Sequence, residues 1–250
     1  MKKNFTIISL LFFGLFLMAG SATATEILSG SETSLQQIFN NFTSPYPGVS
    51  SVDAIGTDND ALDDSIDSYW EITASGGSVA TLIIEVAGNF NSNIFGVYDS
   101  SNYANKVNIF EGTAGPGTQI MLSILDDGSV KLNAVDTGIN FDSYTFGFYL
   151  KSGNNYFYSD TSLNGDSFDH MVAFQGTGDL IKLPTFPAGE WTDNEFILAW
   201  EDIFRGGDKD YNDMVLMIES VLPVPEPATM LLLGTGLLGL AVISRRKLKK

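Results

Sequence analysis

The sequence predicts an all-β protein: an antiparallel β-sandwich or jelly-roll-like body with one short N-terminal helix, framed by two apolar ends. Three observations carry this. Short apolar or alternating stretches recur from Ser68 to Glu219 at intervals of about 8–15 residues, separated by glycine-rich turns. No run alternates strand with helix, as a parallel sheet would require. A single stretch, SLQQIFNNF, carries the helical period instead.

Taken in order, the chain opens with Lys2 and Lys3, an apolar run from Phe5 to Met18, and small residues ending Ala22-Thr23-Ala24. A basic start, an apolar middle and an A-x-A end form a secretory signal peptide, so residues 1–24 are expected to be removed. In SLQQIFNNF, Leu35, Ile38, Phe39 and Phe42 fall on one helix face, with Thr33 or Ser34 as cap and SPYPG (Ser44 to Gly48) as stop. About ten strands are expected. They are SYWEITA, VATLIIEVAG, NIFGVYD, KVNIFEG, the hairpin QIMLSILDDGSVKLNAV turning at Asp127-Gly128, YTFGFYLKSG, YFYSD, HMVAFQG, EFILAW and MVLMIES. One body over residues 25–222 is the simplest division; two small β modules meeting near Lys151 to Asn155 are the alternative.

The last segment, 223–250, has three parts. Pro223, Pro225 and Pro227 break the chain, an uncharged run spans Ala228 to Ser244, and Arg245, Arg246, Lys247, Lys249 and Lys250 close it. As a helix the run would be roughly 25 Å long, enough to cross a thin hydrocarbon core. Its basic end stays cytoplasmic by the positive-inside rule, which places the body outside the inner membrane.

The formal charge is −17, and the ends conceal how acidic the body is. Seven of the 13 basic residues and one of the 30 acids lie in the ends, leaving the body 6 and 29, a net −23. Such a body lacks the basic footprint that nucleic acid needs and would be repelled by anionic lipid, so membrane contact is expected only through the C-terminal helix. It suits divalent cations that offset self-repulsion. With no cysteine, disulfides and thiolate metal sites are excluded.

Catalysis finds little support. The chain has no G-x-S-x-G elbow and no phosphate loop of the G-x-x-x-x-G-K type. The single histidine, His170, begins an apolar strand and reads as a hydrogen-bonded strand-end residue. With so many acids, some carboxylate pair will meet the spacing of a glycosidase by chance. A small glycan hydrolase would have to use Glu201, Asp202 or His170, and no catalytic residue is assigned. Trp70, Trp191, Trp200 and the tyrosines offer a sugar-stacking platform, the basis of a carbohydrate-binding alternative, although aromatic residues at strand spacing more often form core.

The richest chemistry lies in EDIFRGGDKDYND, Glu201 to Asp213. Hard cations take oxygen ligands, and calcium takes about 6–8 of them. Asp208, Asp210 and Asn212 stand at alternate positions, and Gly206-Gly207 permit a turn that brings Glu201 or Asp202 towards them. The order resembles an EF-hand only briefly: its sixth position is Asp213 rather than glycine, and a strand follows instead of a helix. The expectation is therefore a Ca2+ loop between strands, with Glu201, Asp202, Asp208, Asp210, Asn212 and Asp213 as candidate ligands. The second acidic group, DNDALDDSID with Asp58 and Asp60, reads as a solvated loop.

Two resemblances add to this. Pro225-Glu226-Pro227, the helix with Gly234-Thr235-Gly236 and the Arg/Lys cluster resemble the PEP-CTERM sorting signal of Gram-negative bacteria. That resemblance implies passage through the Sec translocon and transient anchoring in the inner membrane. It further implies removal of the tail by an exosortase and delivery to the cell surface or extracellular matrix, in biofilm or exopolysaccharide association. LAWEDIFRGGDKDYNDMVLMIE, together with YFYSDTSLNGDSFDHMVAFQG, resembles the secreted bacterial domain of unknown function 4114, placed over residues 139–221. This second resemblance implies an extracellular β-rich domain with calcium ligation by its acids, and brings no assigned reaction. The combined expectation is an exported, non-enzymatic, calcium-binding surface protein, with adhesion as a candidate role.

Overall fold

Helix α1 forms where the period required it. Leu35–Phe42 are helical, and Leu35, Ile38, Phe39 and Phe42 are buried. Ser34 closes a capping box: its hydroxyl accepts from the Gln37 N–H, and the Gln37 side chain accepts from the Ser34 N–H, both at 3.3 Å. The computed structural model describes residues 25–30, 32–43, 48–75, 77–85 and 93–225. The expected leader 1–24, the tail 226–250 with Glu226, Pro227 and its apolar helix, residues 44–47 of SPYPG and residues 86–88 of VATLIIEVAG lie outside them. Among the described residues no helix is long and apolar enough to cross a membrane.

Most of the remaining regular structure is strand. In order come β1 Tyr69–Ile72, β2 Ser78–Glu85, β3 Ile94–Asp99, β4 Asn102–Glu111, β5 Gln119–Ile124, β6 Ser129–Leu132, β7 Val135–Asn140 and β8 Phe146–Ser152. They continue with β9 Asn155–Tyr158, β10 Met171–Gln175, β11 Leu180–Ile181, β12 Gly189–Glu190, β13 Glu195–Trp200, β14 Met214–Glu219 and β15 Val221–Val224. Every pairing is antiparallel. One sheet runs β15-β1-β8-β3-β4, with β9 also on β8; another runs β10-β13-β14-β2-β5-β6-β7; β11 and β12 form a small ladder.

Alternation along the strands builds two large cores. Trp70, Phe95, Phe146 and Phe148 of the first sheet meet Leu82, Phe196, Leu198, Trp200 and Leu216 of the second in one cluster. Trp70 packs edge-on against Phe196 at 4.8 Å, and Phe95 against Trp200 at 6.1 Å. The intervening residues of the second sheet, including Val172, Phe174, Ile197, Ala199 and Met217, pack against α1 and the N-terminal segment. Strand β13 is therefore covered on both faces, which is why EFILAW reads as a continuous apolar run. The first cluster extends from Trp70 to Val221 and draws on strands from both sides of Lys151–Asn155.

Several details differ from expectation. Strand β7 was not foreseen: no residue of VDTGIN is fully buried, and on its Val135-Thr137-Ile139 face Val135 is exposed while Ile139 packs against the first core. It returns on β6 through Asn133 and Ala134, with φ of 49° and 64°, the left-handed pair that suits a tight hairpin. Strand β15 was also missed. Pro223 was expected to break the chain, yet it lies opposite Trp70, and Val224 opposite Tyr69. The strand is at the sheet edge, where a missing N–H is tolerated. The β structure thus continues past residue 222. All three tryptophans, Trp70, Trp191 and Trp200, are fully buried, so none presents a face to a sugar. Their indoles fill the two cores.

Candidate metal centre

Strands β13 and β14 are adjacent and in register, Trp200 opposite Met214, so the loop between them is pinned at both ends. The Gly206 N–H donates to Ile203 C=O at 2.9 Å and the Lys209 N–H to Gly206 C=O at 2.8 Å. Arg205, Gly206, Gly207, Lys209 and Tyr211 all have positive φ. For the non-glycine residues such backbone costs about 1–3 kcal/mol each, and surrounding contacts must hold it in place. Tyr211 shows how: its ring is fully buried, and its hydroxyl donates to Asp169 C=O at 2.6 Å.

Glu201 lies at the floor of this loop, fully buried. Its N–H donates to His170 C=O at 3.0 Å, and its Oε1 accepts from the Tyr211 N–H at 2.9 Å. Its Oε2 has no hydrogen-bond partner. Each of Glu201, Asp208 and Asp210 offers one carboxylate oxygen, and the three oxygens lie within 4.8 Å of one another. Among the described residues this is the one group of three or more such side chains that converges so closely. Asp208 is exposed and Asp210 is buried, so the group opens to solvent on one side.

Burial and mutual repulsion load the site. Burial pushes the Glu201 carboxyl up to about 8, against the Tyr211 N–H, and the charges of Asp213, Asp210 and Asp208 push the same way. Burial, then Asp208, raises Asp210 to about 6, with Glu32 adding to it. Asp213 is raised to about 7, first by burial and then by Asp202, Asp210 and Asp208. These are carboxylates in search of a positive charge or a proton.

The other expected ligands point elsewhere. Asp202 was expected to reach in, but its Oδ2 accepts from Asn93 Nδ2 at 2.9 Å and from Ser152 Oγ at 3.4 Å. Asp213 Oδ2 accepts from the Asp202 N–H at 2.8 Å. Asn212 uses its amide to donate to Asp210 Oδ2 at 2.7 Å and to Thr33 C=O at 3.0 Å. It therefore braces a candidate ligand and ties down the N-terminal segment. The strand that follows, β14, agrees with the rejection of the EF-hand.

The N-terminal segment is the part that sequence reasoning missed. The Leu28 N–H donates to Lys209 C=O at 2.8 Å. Gly30 lies so close that a Cβ there would sit 2.0 Å from Asp210 Oδ2 and 3.0 Å from Asp208 Oδ2. No local signal reports this contact, because it joins positions about 180 residues apart across the fold.

His170 lies in the same region, buried and hydrogen-bonded just before β10. Its ring is fully buried, 4.0 Å from Phe157 in a stacked arrangement. Its Nδ1 lies 3.0 Å from Glu201 C=O and its Nε2 3.0 Å from Asp166 Oδ2. Asp166 also accepts from the Arg205 N–H at 2.6 Å. Its carboxyl is held below its ordinary value: burial opposes this, but the Arg205 N–H and His170 outweigh it. In the second acidic group, Asp60 Oδ2 accepts from the Asp53 N–H at 2.7 Å, and Asp67 is buried with Oδ1 unpartnered. Burial, then Asp169 and Asp64, pushes Asp67 well up.

No curated protein and no solved structure matches the chain. Two family models do. The Domain of unknown function (DUF4114) matches residues 115–221, beginning upstream of residue 139, and the acidic loop lies inside that match. The PEP-CTERM protein-sorting motif matches residues 223–247, starting within β15. The chain is thus an exported protein with a DUF4114 domain, sorted by way of the membrane through a PEP-CTERM tail that an exosortase processes.

Proposed function

We propose that this protein is a non-enzymatic calcium-binding protein of the cell surface or extracellular matrix, with an antiparallel sandwich as its body. Glu201, Asp208 and Asp210 would hold the ion. The observation that carries this reading is the Glu201 carboxylate: fully buried, anchored through Oε1, and without a partner on Oε2 beside two further carboxylates. An unpaired buried charge costs several kcal/mol, so the group needs a counter-charge or a proton, and a cation serves all three carboxylates at once.

The donor set fits a hard cation. It consists of oxygens alone, and both ring nitrogens of the only histidine are engaged elsewhere. Calcium accepts irregular oxygen coordination, whereas magnesium demands near-ideal octahedra and sheds its water reluctantly. Water and backbone carbonyls would complete the shell. Bound calcium would lock the β13–β14 loop to the N-terminal segment, which is where an exported, cysteine-free body of net −23 gains most from a cross-link.

The test is a thermal melt of the full chain in detergent, in chelator and in calcium. At about 100 times the dissociation constant, calcium should add about 2.7 kcal/mol. A melting temperature unchanged by calcium and by chelator rules the reading out.

A further inference from the structure

The outer face of the first sheet is paved with tyrosine, of which Tyr98, Tyr149 and Tyr158 are buried in a small cluster of their own. Trp70, Phe95, Phe146 and Phe148 point into the core, so the alternate residues of β1, β3 and β8 point away from it. Two of these are glycines, each bedding a tyrosine ring from the neighbouring strand. Tyr98 lies on Gly147, where a Cβ would come within 2.2 Å of the ring, and Tyr149 lies on Gly96, at 2.6 Å. The pavement continues outward through Tyr158, edge-on to Tyr98 at 5.3 Å, and Tyr156, nearly parallel to Tyr158 at 6.2 Å. Its margin is open: Tyr156 is 40% exposed and Tyr103 54%.

Two of the six cationic side chains of the body stand on this margin. Lys106 Nζ lies 5.2, 5.4 and 5.2 Å from the ring centres of Tyr103, Tyr156 and Tyr158, and donates to Tyr103 C=O. Lys151 Nζ lies 5.6 Å from the Tyr156 ring. The nearby acids are already engaged: Glu111 accepts from Asn108 Nδ2 at 3.1 Å, and Asp160 accepts from the Tyr69 hydroxyl. On a body of net −23, this margin brings two of the few cations together beside open aromatic rings.

We propose that this face binds an acidic oligosaccharide, with a sugar ring on Tyr156 and Tyr103 and a carboxylate at Lys106 and Lys151. Tyrosine rings present a large, rigid, apolar surface for the C–H face of a pyranose. Ammonium groups supply charge-assisted hydrogen bonds to a carboxylate. The acidic remainder of the body rejects a dense polyanion, but beyond roughly 8 Å that field is screened at physiological salt. A short uronate chain carries few charges in total, so its nearest carboxylates meet the lysines within the screening distance.

The test uses the full chain in detergent with an oligogalacturonate of six sugars, a neutral gluco-oligosaccharide of the same length and hexaglutamate, each with and without chelator. The expected result is selective binding of the oligogalacturonate that persists in chelator. Tyr156→Ala should weaken it about three- to tenfold, as loss of one aromatic contact does. Lys151→Ala should weaken it about tenfold and reduce its salt dependence. Both side chains are partly exposed, so both variants should melt as wild type, and Lys106→Met gives a third that keeps the packing volume. Absence of binding, equal binding of the neutral sugar or of hexaglutamate, loss of binding in chelator, or full binding by all three variants would each overturn the assignment.

Discussion

The Tyr211 N–H donates to Glu201 Oε1 at 2.9 Å, from a backbone held at φ 50°. That bond fixes one oxygen of a buried carboxylate and leaves the other without a hydrogen-bond partner, in a group that lies within 4.8 Å of carboxylate oxygens of Asp208 and Asp210. The left-handed residues Lys209 and Tyr211 alternate with the two aspartates, so the backbone of the loop and its convergent carboxylates are parts of one arrangement. Observed strain of this kind clusters at ligand-binding sites.

Gly30 should be as important to the metal centre as the acids themselves. Gly30→Ala places a methyl 2.0 Å from Asp210 Oδ2, so the N-terminal segment or the carboxylate must move. Calcium affinity should fall by about tenfold or more, the equivalent of one good hydrogen bond to a charged group. Gly189→Ala, at a position with open space around it, should leave affinity unchanged. Calorimetric titration of the two variants reads the difference, and equal affinities would show that the N-terminal segment does not shape the site.

The protein should become less stable in chelator as pH rises through the weakly acidic range. Burial, then the charge of Asp64, pushes the Asp169 carboxyl from its usual 3.8 up to about 7. Between those values the folded state holds a proton that the unfolded chain has lost, so stability falls with rising pH across that window. Asp67, raised in part by Asp169, acts in the same direction. Melting temperatures at about pH 5 and pH 7.5 should differ less in Asp169→Asn than in wild type. An identical difference would place the proton elsewhere.

Strand β15 sets a limit on the tail. Val221–Val224 pair with Ile72–Tyr69, so the first two residues of the sorting motif belong to the folded sheet. A chain ending at Val224 should be more stable than one ending at Leu222 by about 1–2 kcal/mol, the worth of one or two edge hydrogen bonds. Mass spectrometry of the processed protein should find a C-terminus beyond Val224. A mature chain ending before Val221 would mean that β15 is dispensable.

Much of this was legible in the sequence because it is local. Helix α1 announced itself through Leu35, Ile38, Phe39 and Phe42, and the β5–β6 hairpin through Asp127-Gly128, where the Gly128 φ is 83°. Strands β13 and β14 stand where EFILAW and MVLMIE were read. What failed was non-local or lacked an apolar signature. Strand β7 has no fully buried residue, and β15 carries a proline that only an edge position accommodates. Within the acidic loop, residue types marked the right region but not the directions of the side chains. Asp202 and Asp208 look alike in sequence, and only the fold shows that one turns to Asn93 and the other to Glu201. The tyrosine face depends on Gly96 and Gly147 lying opposite Tyr149 and Tyr98, a register that no single strand contains.

Calcium titration of the full chain beside Glu201→Gln tests the metal centre most directly, read by calorimetry and by melting. Glutamine keeps the shape and removes the charge. Wild type should bind calcium and melt higher with it, while the variant should bind at least about a hundredfold more weakly, the loss of a charged ligand worth roughly 3 kcal/mol. In chelator the difference should vanish or reverse, because Glu201, pushed up to about 8 by burial, must hold either a proton or an unpartnered charge, and glutamine needs neither. Equal calcium binding by the two proteins, or none by either, would contradict a metal centre built on Glu201, Asp208 and Asp210.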